Sequence, residues 1–595
     1  MKEKIKKLFE ENKRIVWAFL AILLTIGLNM KIDCFMDKIL FNGNQIVWLM
    51  LCVFIYFVLK KSNEYKEKRL FICSIILGVL LAFFQTITQI TFDYWSLNEV
   101  VFTTSVTIYF VVKMLTYGII FTNIIKIVIK WLENKKWEKS KKKDIFRPTL
   151  KTFLIIAVIF FIAWLPYFLN YYPGTTSYDT NYQLMQGYRI YPYTNHHPII
   201  HTMIITIITK IGYAITNNYN FGIAIYVILQ MIICATVFSF VIYYMAKKKI
   251  PFCFKLIAFL FFAFHPIVPQ FSIAVWKDVP FSLFLILFII GIIELITNEE
   301  NFIKNYKWNI LFIFSILGTV FFRNNGIYVV VLTFPFVIIA KRKYWKKIAV
   351  MFVVPIIIYM IVTGPVFKVF GIGKSSDKEM LSIPIQQMAR ISICKKDELT
   401  EEEKEKIAMY IPIDRTEELY RPNISDPIKN EFNEQAYAEN KVAFFKLYFK
   451  LALRFPLETI ESFIANTYGY YCPDTVTFPL ATGTYEKTEE KEKFMVIETD
   501  PIVKIPLIDK IVDAIYDKEI PIVSLIANIG FVFWITLLLL VYCIYEKKYY
   551  NILMYIPIAV LYLTCLASPV SGELRYIYGM FISLPLFLGF TLQKS

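Results

Sequence analysis

Histidine is scarce in this chain, with four in 595 residues, and three of the four fall at His196, His197 and His201. No His-Glu-x-x-His run accompanies them, so the metalloprotease type of helix is excluded. The nine cysteines are scattered singly, without metal-type pairs or a disulfide spacing, and read as small hydrophobes. Segments of alternating polarity are missing, which excludes a transmembrane barrel. No nucleotide-binding motif, internal repeat or low-complexity tract occurs. The net charge of +17 would suit a nucleic-acid partner, but there is no basic stripe interleaved with aromatics, so nucleic acid is excluded as a partner.

What fills the chain instead is apolar runs, in a composition that is 57% hydrophobic. Runs such as Phe281–Ile296 and Ile522–Tyr545 approach the roughly 20 residues that a helix needs to cross a bilayer. Backbone hydrogen bonding leaves helices as the spanning form. The pattern predicts an all-α polytopic membrane protein of about 13–14 helices. Their cores are 14–30, 46–60, 70–91, 101–131, 152–170, 220–245, 252–266, 280–297, 308–322, 326–340, 347–367, 520–545, 550–567 and 576–592. The first run has a basic flank but no small-residue cleavage site, which reads as an uncleaved helix.

Charge sets the expected topology. Basic clusters at Lys2–Arg14, Lys60–Arg69, Lys130–Lys151, Lys247–Lys249 and Lys341–Lys347 are all expected on the cytoplasmic side. That requires residues 198–216 to lie along the interface as an amphipathic helix rather than to span. Both termini are then cytoplasmic, in a plasma membrane. Loops 171–219, 267–279 and 568–575, the turn at Arg323–Gly326 and the hydrophilic stretch 371–519 fall outside. Four units follow: an N-terminal four-helix module (1–149), a transmembrane core (150–370) with a first outer loop at 171–219, a small mostly helical extracytoplasmic domain (371–519), and C-terminal helices (520–595).

Ionisable groups at membrane-helix ends are functional candidates, because burying them is costly. Pro173-Gly174 predicts a turn that presents Tyr178 and Asp179, with Gln183 four residues on and on the same helix face. The bland alternative is that Asp179 caps the following helix. His197 and His201 stand at i and i+4, a metal-compatible spacing; interfacial imidazoles bonded to backbone or lipid phosphate are the plainer reading. Lys277-Asp278 opens a later helix, either as an anchor and cap or as an acid facing Asp179 with a lysine beside an anionic ligand. The cationic group comprises Arg323 with Asn324, Gln387 with Arg390, and Glu573, Arg575 and Tyr576. A guanidinium near bilayer depth needs a carboxylate or phosphate.

The segments PGTTSYDTNYQ, NHHPIIHT, VWKD, FRNNGIYV, IPIQQMAR and SGELRY resemble a bacterial family of multi-pass proteins assigned to the GT-C superfamily of membrane glycosyltransferases. The resemblance runs from about residue 150 to the C-terminus and leaves out the first four helices. It implies a GT-C-like helix bundle that takes sugar from a polyprenyl-phosphate donor held in the membrane. Transfer would be to a cell-envelope glycan, lipid or protein acceptor at the outer face. By the same resemblance, Asp179 matches the catalytic acid of the first outer loop and Asp278 a second acidic position. Superfamily members often pair two acids in that loop, whereas here Asp179 is followed by Thr180. A divalent metal is therefore an open cofactor, with Asp179, Asp278, His197 and His201 as its candidate ligands.

The residues themselves fit that chemistry. An Asp can deprotonate an acceptor hydroxyl, and cations can stabilise a departing phosphate. Asp179 is expected as base and Asp278 as supporting acid. Lys277, Arg323 and Arg575 are expected as phosphate contacts. Tyr178, Gln183, His196, His197, Asn324, Gln387, Arg390, Glu573 and Tyr576 are expected around the substrates. Two other readings share the membrane class: a flippase or transporter of lipid-linked glycans, and a polymerase or ligase of them. The transporter predicts mid-membrane polar groups and repeat symmetry, neither of which the sequence displays.

Overall fold

The computed structural model describes residues 12–33, 37–41, 43–93, 103–135, 137, 144–473, 482–486, 493–517, 519–520, 523–567 and 569–593. Most of the expected basic cluster Lys2–Arg14, and parts of Lys130–Lys151 and of loop 568–575, lie outside the described residues.

The apolar runs fold as helices: α1 (Lys13–Asn29), α2 (Gln45–Ser62), α3 (Lys68–Asp93), α4 (Thr104–Asn134), α5 (Leu150–Asn170), α6 (Tyr178–Gly187), α7 (Ile199–Thr216), α8 (Tyr219–Lys247), α9 (Phe252–Phe264), α10 (Asp278–Thr297), α11 (Tyr306–Phe322), α12 (Gly326–Ala340), α13 (Trp345–Ile361), α14 (Ser382–Cys394), α15 (Lys441–Arg454), α16 (Pro456–Thr467), α17 (Ile529–Tyr545), α18 (Ile556–Ala567) and α19 (Tyr578–Leu592). Polar residues open several of them by accepting backbone N–H groups that have no partner inside a helix, as Thr149 does from Thr152 and Asn528 from Phe531. One short hairpin pairs β1 (Met30–Asp33) with β2 (Lys38–Phe41). Among the described residues, ten helices are long and apolar enough to cross a membrane, with four shorter apolar ones beside them. Large side chains such as Phe57, Leu115, Ile162, Ile233, Phe314 and Met360 stay exposed on the outside of the bundle, which only a lipid solvent tolerates in such number. The protein is an all-α polytopic membrane protein.

The bundle has two chemically different ends. At one, Lys248 pairs with buried Glu294 at 2.6 Å, Lys341 with Glu299 at 3.0 Å, and Lys255 with Asp144. The Tyr545 hydroxyl lies within hydrogen-bond distance of both Glu67 (2.8 Å) and Glu133 (2.9 Å), while Gln593 Nε2 donates to the Lys248 carbonyl. Four expected basic clusters therefore gather at one end with the C-terminal helix. Sixteen residues along α10 from Glu294, about 24 Å at 1.5 Å per residue, Asp278 marks the other end.

Helix α7 is long and apolar enough to span, yet it starts and finishes at the Asp278 end. His197, just before it, touches Lys277. Just after it, Asn220 donates to the Glu498 carbonyl at 2.9 Å, and two residues beyond Glu498 the Asp500 amide bonds the Tyr172 carbonyl. Its turn into α8 is tight because Gly212 lies against Gly222, where a Cβ would come within 2.2 Å of backbone.

The hydrophilic stretch 371–519 divides between two cores. Leu381–Phe455 encloses a separate cluster that includes Ile385, Phe444 and Leu451. Tyr468–Tyr471 and Ile508–Tyr516 pack into the main bundle core. The N-terminal module meets that core where Phe84 lies against Tyr471, with ring centroids 4.5 Å apart.

Candidate functional site

Two loops meet to build the centre. Gly174 follows Pro173 with φ +132°, and a Cβ there would strike Val227 and the Ile273 carbonyl. The freed backbone pairs with the loop before α10: Thr175 N donates to Ile273 O (3.1 Å), and Val275 N donates to Thr175 O (2.9 Å). This bridge holds Asp179, four residues on, beside Lys277, two residues past Val275. Ser177 opens α6, with Thr180 Oγ1 accepting from Ser177 N and donating to Val275 O at 2.6 Å. The cap is thus served without Asp179, whose carboxylate is free to turn inward.

The third strand of the construction is the turn before α19. Gly572 takes φ +80°, and Gly469 lies so close to it that a Cβ would come within 2.3 Å of Gly572 N. The short helix Leu574–Ile577 then delivers Arg575 into the bundle.

Asp179 Oδ2 accepts from Lys277 Nζ at 2.9 Å and from Arg575 Nη1 at 2.9 Å. Each nitrogen of Arg575 has a partner: besides Nη1 on Asp179, Nη2 donates to the Tyr178 hydroxyl (3.1 Å) and Nε pairs with Glu573 Oε1 (3.2 Å). Its guanidinium also lies over the Trp276 and Tyr576 rings. Lys277 Nζ lies 2.6 Å from His197 Nδ1. An ammonium can only donate, so Nδ1 accepts and the ring proton sits on Nε2. Alongside, Arg323 Nη1 approaches Asp278 Oδ1 at 3.1 Å and donates to the Tyr576 carbonyl at 2.8 Å. Asp278 is fully buried.

Electrostatics separates the two carboxyls nearest Arg575. Burial works against charge on Asp179, but Arg575 and Lys277 outweigh it and hold the carboxyl well below the usual range. Burial pushes Glu573 up, with Arg575 opposing. His197 is held well below the usual imidazole range by burial and then by Lys277, and the same two causes lower His196. The centre therefore holds a firmly ionised aspartate, neutral imidazoles and two cations.

The other expected residues stand elsewhere. Gln183 and His201 do not face Asp179; His201 Nδ1 meets Gln183 Oε1 (3.1 Å) and Nε2 meets the Tyr226 hydroxyl (2.9 Å), a buried bracket between α6, α7 and α8. Asn324 donates to the Asn195 carbonyl and so anchors the loop carrying His196. Gln387 and Arg390 sit in the α14–α16 seam, bonded to Thr459 O and Glu461. The four candidate metal ligands do not converge. Asp179 faces two cations, Asp278 faces Arg323, and the two histidines turn to different partners. Among the described residues no group of three His, Cys, Asp or Glu could hold a metal, and this donor set does not fit one. Trp276 was legible as part of the VWKD segment, whereas the Thr175–Val275 bridge was not, because backbone pairing between distant loops leaves no residue pattern. Buried Glu294 carried a signal, a carboxylate inside an apolar run.

Residues 190–595, about two thirds of the chain, match the model of a family described as a family of unknown function (DUF6020). The matched region starts eleven residues after Asp179 and includes Lys277, Asp278, Arg323 and Arg575. No curated protein and no solved structure matches the chain. The chain belongs to the DUF6020 family.

Proposed function

We propose that the protein is a GT-C-type glycosyltransferase, which moves a sugar from a polyprenyl-phosphate donor to an envelope acceptor at the outer membrane face. The observation that carries the reading is the Asp179–Lys277–Arg575 centre, set at the end of the bundle opposite the gathered basic clusters. Positive clusters mark the cytoplasmic side, so this centre faces outward, where a lipid-phosphate donor is met from the membrane.

In the transfer, the acceptor oxygen bonds to the anomeric carbon as the carbon–phosphate oxygen bond breaks. The leaving phosphate keeps the electron pair, and Lys277 and Arg575 stabilise its charge. The acceptor proton goes to Asp179. In the free centre both cations hold this carboxylate and make it a weak base. A bound phosphate competes for them, so donor binding raises the basicity of Asp179 when it is needed. Glu573 keeps Arg575 in place through Nε. His197 presents Nε2–H as a donor to the phosphate or the acceptor.

The test is transfer or hydrolysis by purified wild type and Asp179→Asn on a panel of polyprenyl-phosphate sugars. The expected result is turnover by wild type and a loss of about 10²–10⁴-fold in the folded variant. Undiminished turnover removes Asp179 from its role. Movement of lipid-linked glycan between leaflets without transfer replaces the reading with a transporter.

A further inference from the structure

Helix α15 is apolar on two opposite faces. Phe444, Leu447 and Leu451 point into the core of the Leu381–Phe455 unit. Val442, Phe449 and Leu453 share the other side at helical spacing and are 64%, 56% and 82% exposed. A helix on a water-bathed unit turns polar residues outward, so this ridge needs a cover. Lys446 and Lys450 flank it on one side and Lys441 on the other, all three exposed. Lys441, Val442, Phe445, Lys446 and Phe449 together line a shallow apolar groove.

Both ends of the ridge lead to helices that face lipid. At the start of α15, Lys441 pairs with Asp377 at 2.5 Å. Asp377 lies eight residues beyond the apolar span Arg342–Val369. Exposed Val369, Phe370 and Met380 continue the apolar surface of that span on either side of it. Between them, the Gly373 carbonyl accepts from Asn195 N at 2.8 Å, which keeps this segment at the Asp278 end of the bundle. At the far end, Leu457 and Ile460 of α16 prolong the ridge, each at least half exposed. Helix α16 packs against α3, and the turn after it sets Tyr471 against Phe84, beside exposed Leu80 and Phe83 on α3. A helix tied at both ends to one rim of the bundle lies along that rim, parallel to the membrane surface.

The chemistry of the ridge selects its cover. Apolar side chains between lysines match a phospholipid leaflet, acyl chains below and headgroups at the edge, with the lysine stems reaching from one to the other. Lys441 and Lys450 each have a carboxylate, Asp377 and Glu403. Lys446 forms no ion pair among the described residues and is left for an anionic headgroup. We infer that α15 is an interfacial helix, its Val442–Phe449–Leu453 ridge seated in the leaflet on the Asp278 side, with Lys446 at an anionic lipid headgroup. This seat is independent of the proposed glycosyl transfer. It bears on the centre all the same: Ser571 N donates to the Asn423 carbonyl at 3.1 Å, so the docked unit touches the turn that delivers Arg575.

The experiment places the photoreactive residue benzoylphenylalanine at Leu453 of the full chain, held in nanodiscs of equal phosphatidylcholine and phosphatidylglycerol. Irradiation and mass spectrometry then read the lipid adducts. Phe57, on the exposed outside of α2, and Glu418, an exposed polar position of the same unit, serve as positive and negative references. The expected result is adduct at Leu453 near the Phe57 level and at least tenfold above the Glu418 level. Phe449 repeats the test should the Leu453 variant fail to fold. Adducts at Leu453 are also expected to hold at least twice as much phosphatidylglycerol as phosphatidylcholine, and Lys446→Gln to bring the two to parity. Adduct at Leu453 no greater than at Glu418, or a cross-link to a second copy of the chain in its place, overturns the leaflet seat. A headgroup ratio that Lys446→Gln leaves unchanged overturns the headgroup contact.

Discussion

At the level of single residues, the centre is governed by how two cations share one carboxylate. Lys277 and Arg575 each stand 2.9 Å from the same Asp179 oxygen, and together they overcome the burial that disfavours its charge. A carboxyl that loses a neighbouring cation is more easily protonated. Lys277→Met is therefore expected to raise the Asp179 pKa and to move the acid limb of the kcat/KM profile up by about one pH unit. The sign follows from the direction of the shift: activity that needs ionised Asp179 is lost as pH falls through a pKa that now lies higher. An unmoved acid limb would mean that another group sets it. Arg323, by contrast, holds Asp278 and the Tyr576 carbonyl, so its loss is expected to disturb the turn before α19 before it disturbs Asp179. Asp179, Lys277 and Arg575 were legible as separate candidates because charged residues at the ends of apolar runs are costly. Their pairing was not, since 98 and 396 residues of chain separate the partners.

Among the elements, the alignment of the centre depends on a backbone approach that leaves no room for a side chain. Gly469 and Gly572 bring α16 against the turn that delivers Arg575. Gly469→Ala puts a Cβ against backbone rather than against a flexible side chain, so the turn has to move. The expected outcome is a destabilisation of about 1–3 kcal/mol with a loss of transfer out of proportion to it, read from unfolding and turnover on the same sample. At the opposite end, Lys248 is the counter-ion of Glu294, which is 1% exposed in α10. Lys248→Met strands that carboxylate and is expected to cost ~3 kcal/mol. The double variant with Glu294→Gln is expected to recover most of the loss, measured by thermal unfolding in detergent. If the single variant is as stable as wild type, the pair contributes nothing. The expected helix positions were met closely because length and apolarity decide them. The expected span 520–545 splits, with a short helix Val523–Ala527 ahead of α17, as Asn528 caps the helix that follows it.

For the molecule as a whole, the separation of a basic end from the Asp179 end is the feature on which sidedness turns. Cysteines introduced at Glu401, in the unit with its own core, and at Lys343, among the basic clusters, provide the check. A membrane-impermeant thiol reagent on intact cells is expected to label Glu401→Cys above the wild-type background and to leave Lys343→Cys unlabelled until the cells are opened. The reverse pattern would place the centre on the cytoplasmic side and remove the donor reading. The membrane class, the number of apolar helices and the kinds of residue at their ends were set by the sequence itself, because hydrophobicity and charge are local properties that a bilayer reads segment by segment. Tertiary structure alone decided which charges meet. It tied Thr175 to Val275, returned α7 to the end from which it started, took Gln183, His201, Gln387 and Arg390 away from Asp179, and brought Arg575 to it. Those outcomes come from backbone bridges and close packing between segments far apart in the chain, and no pattern within a single segment encodes them.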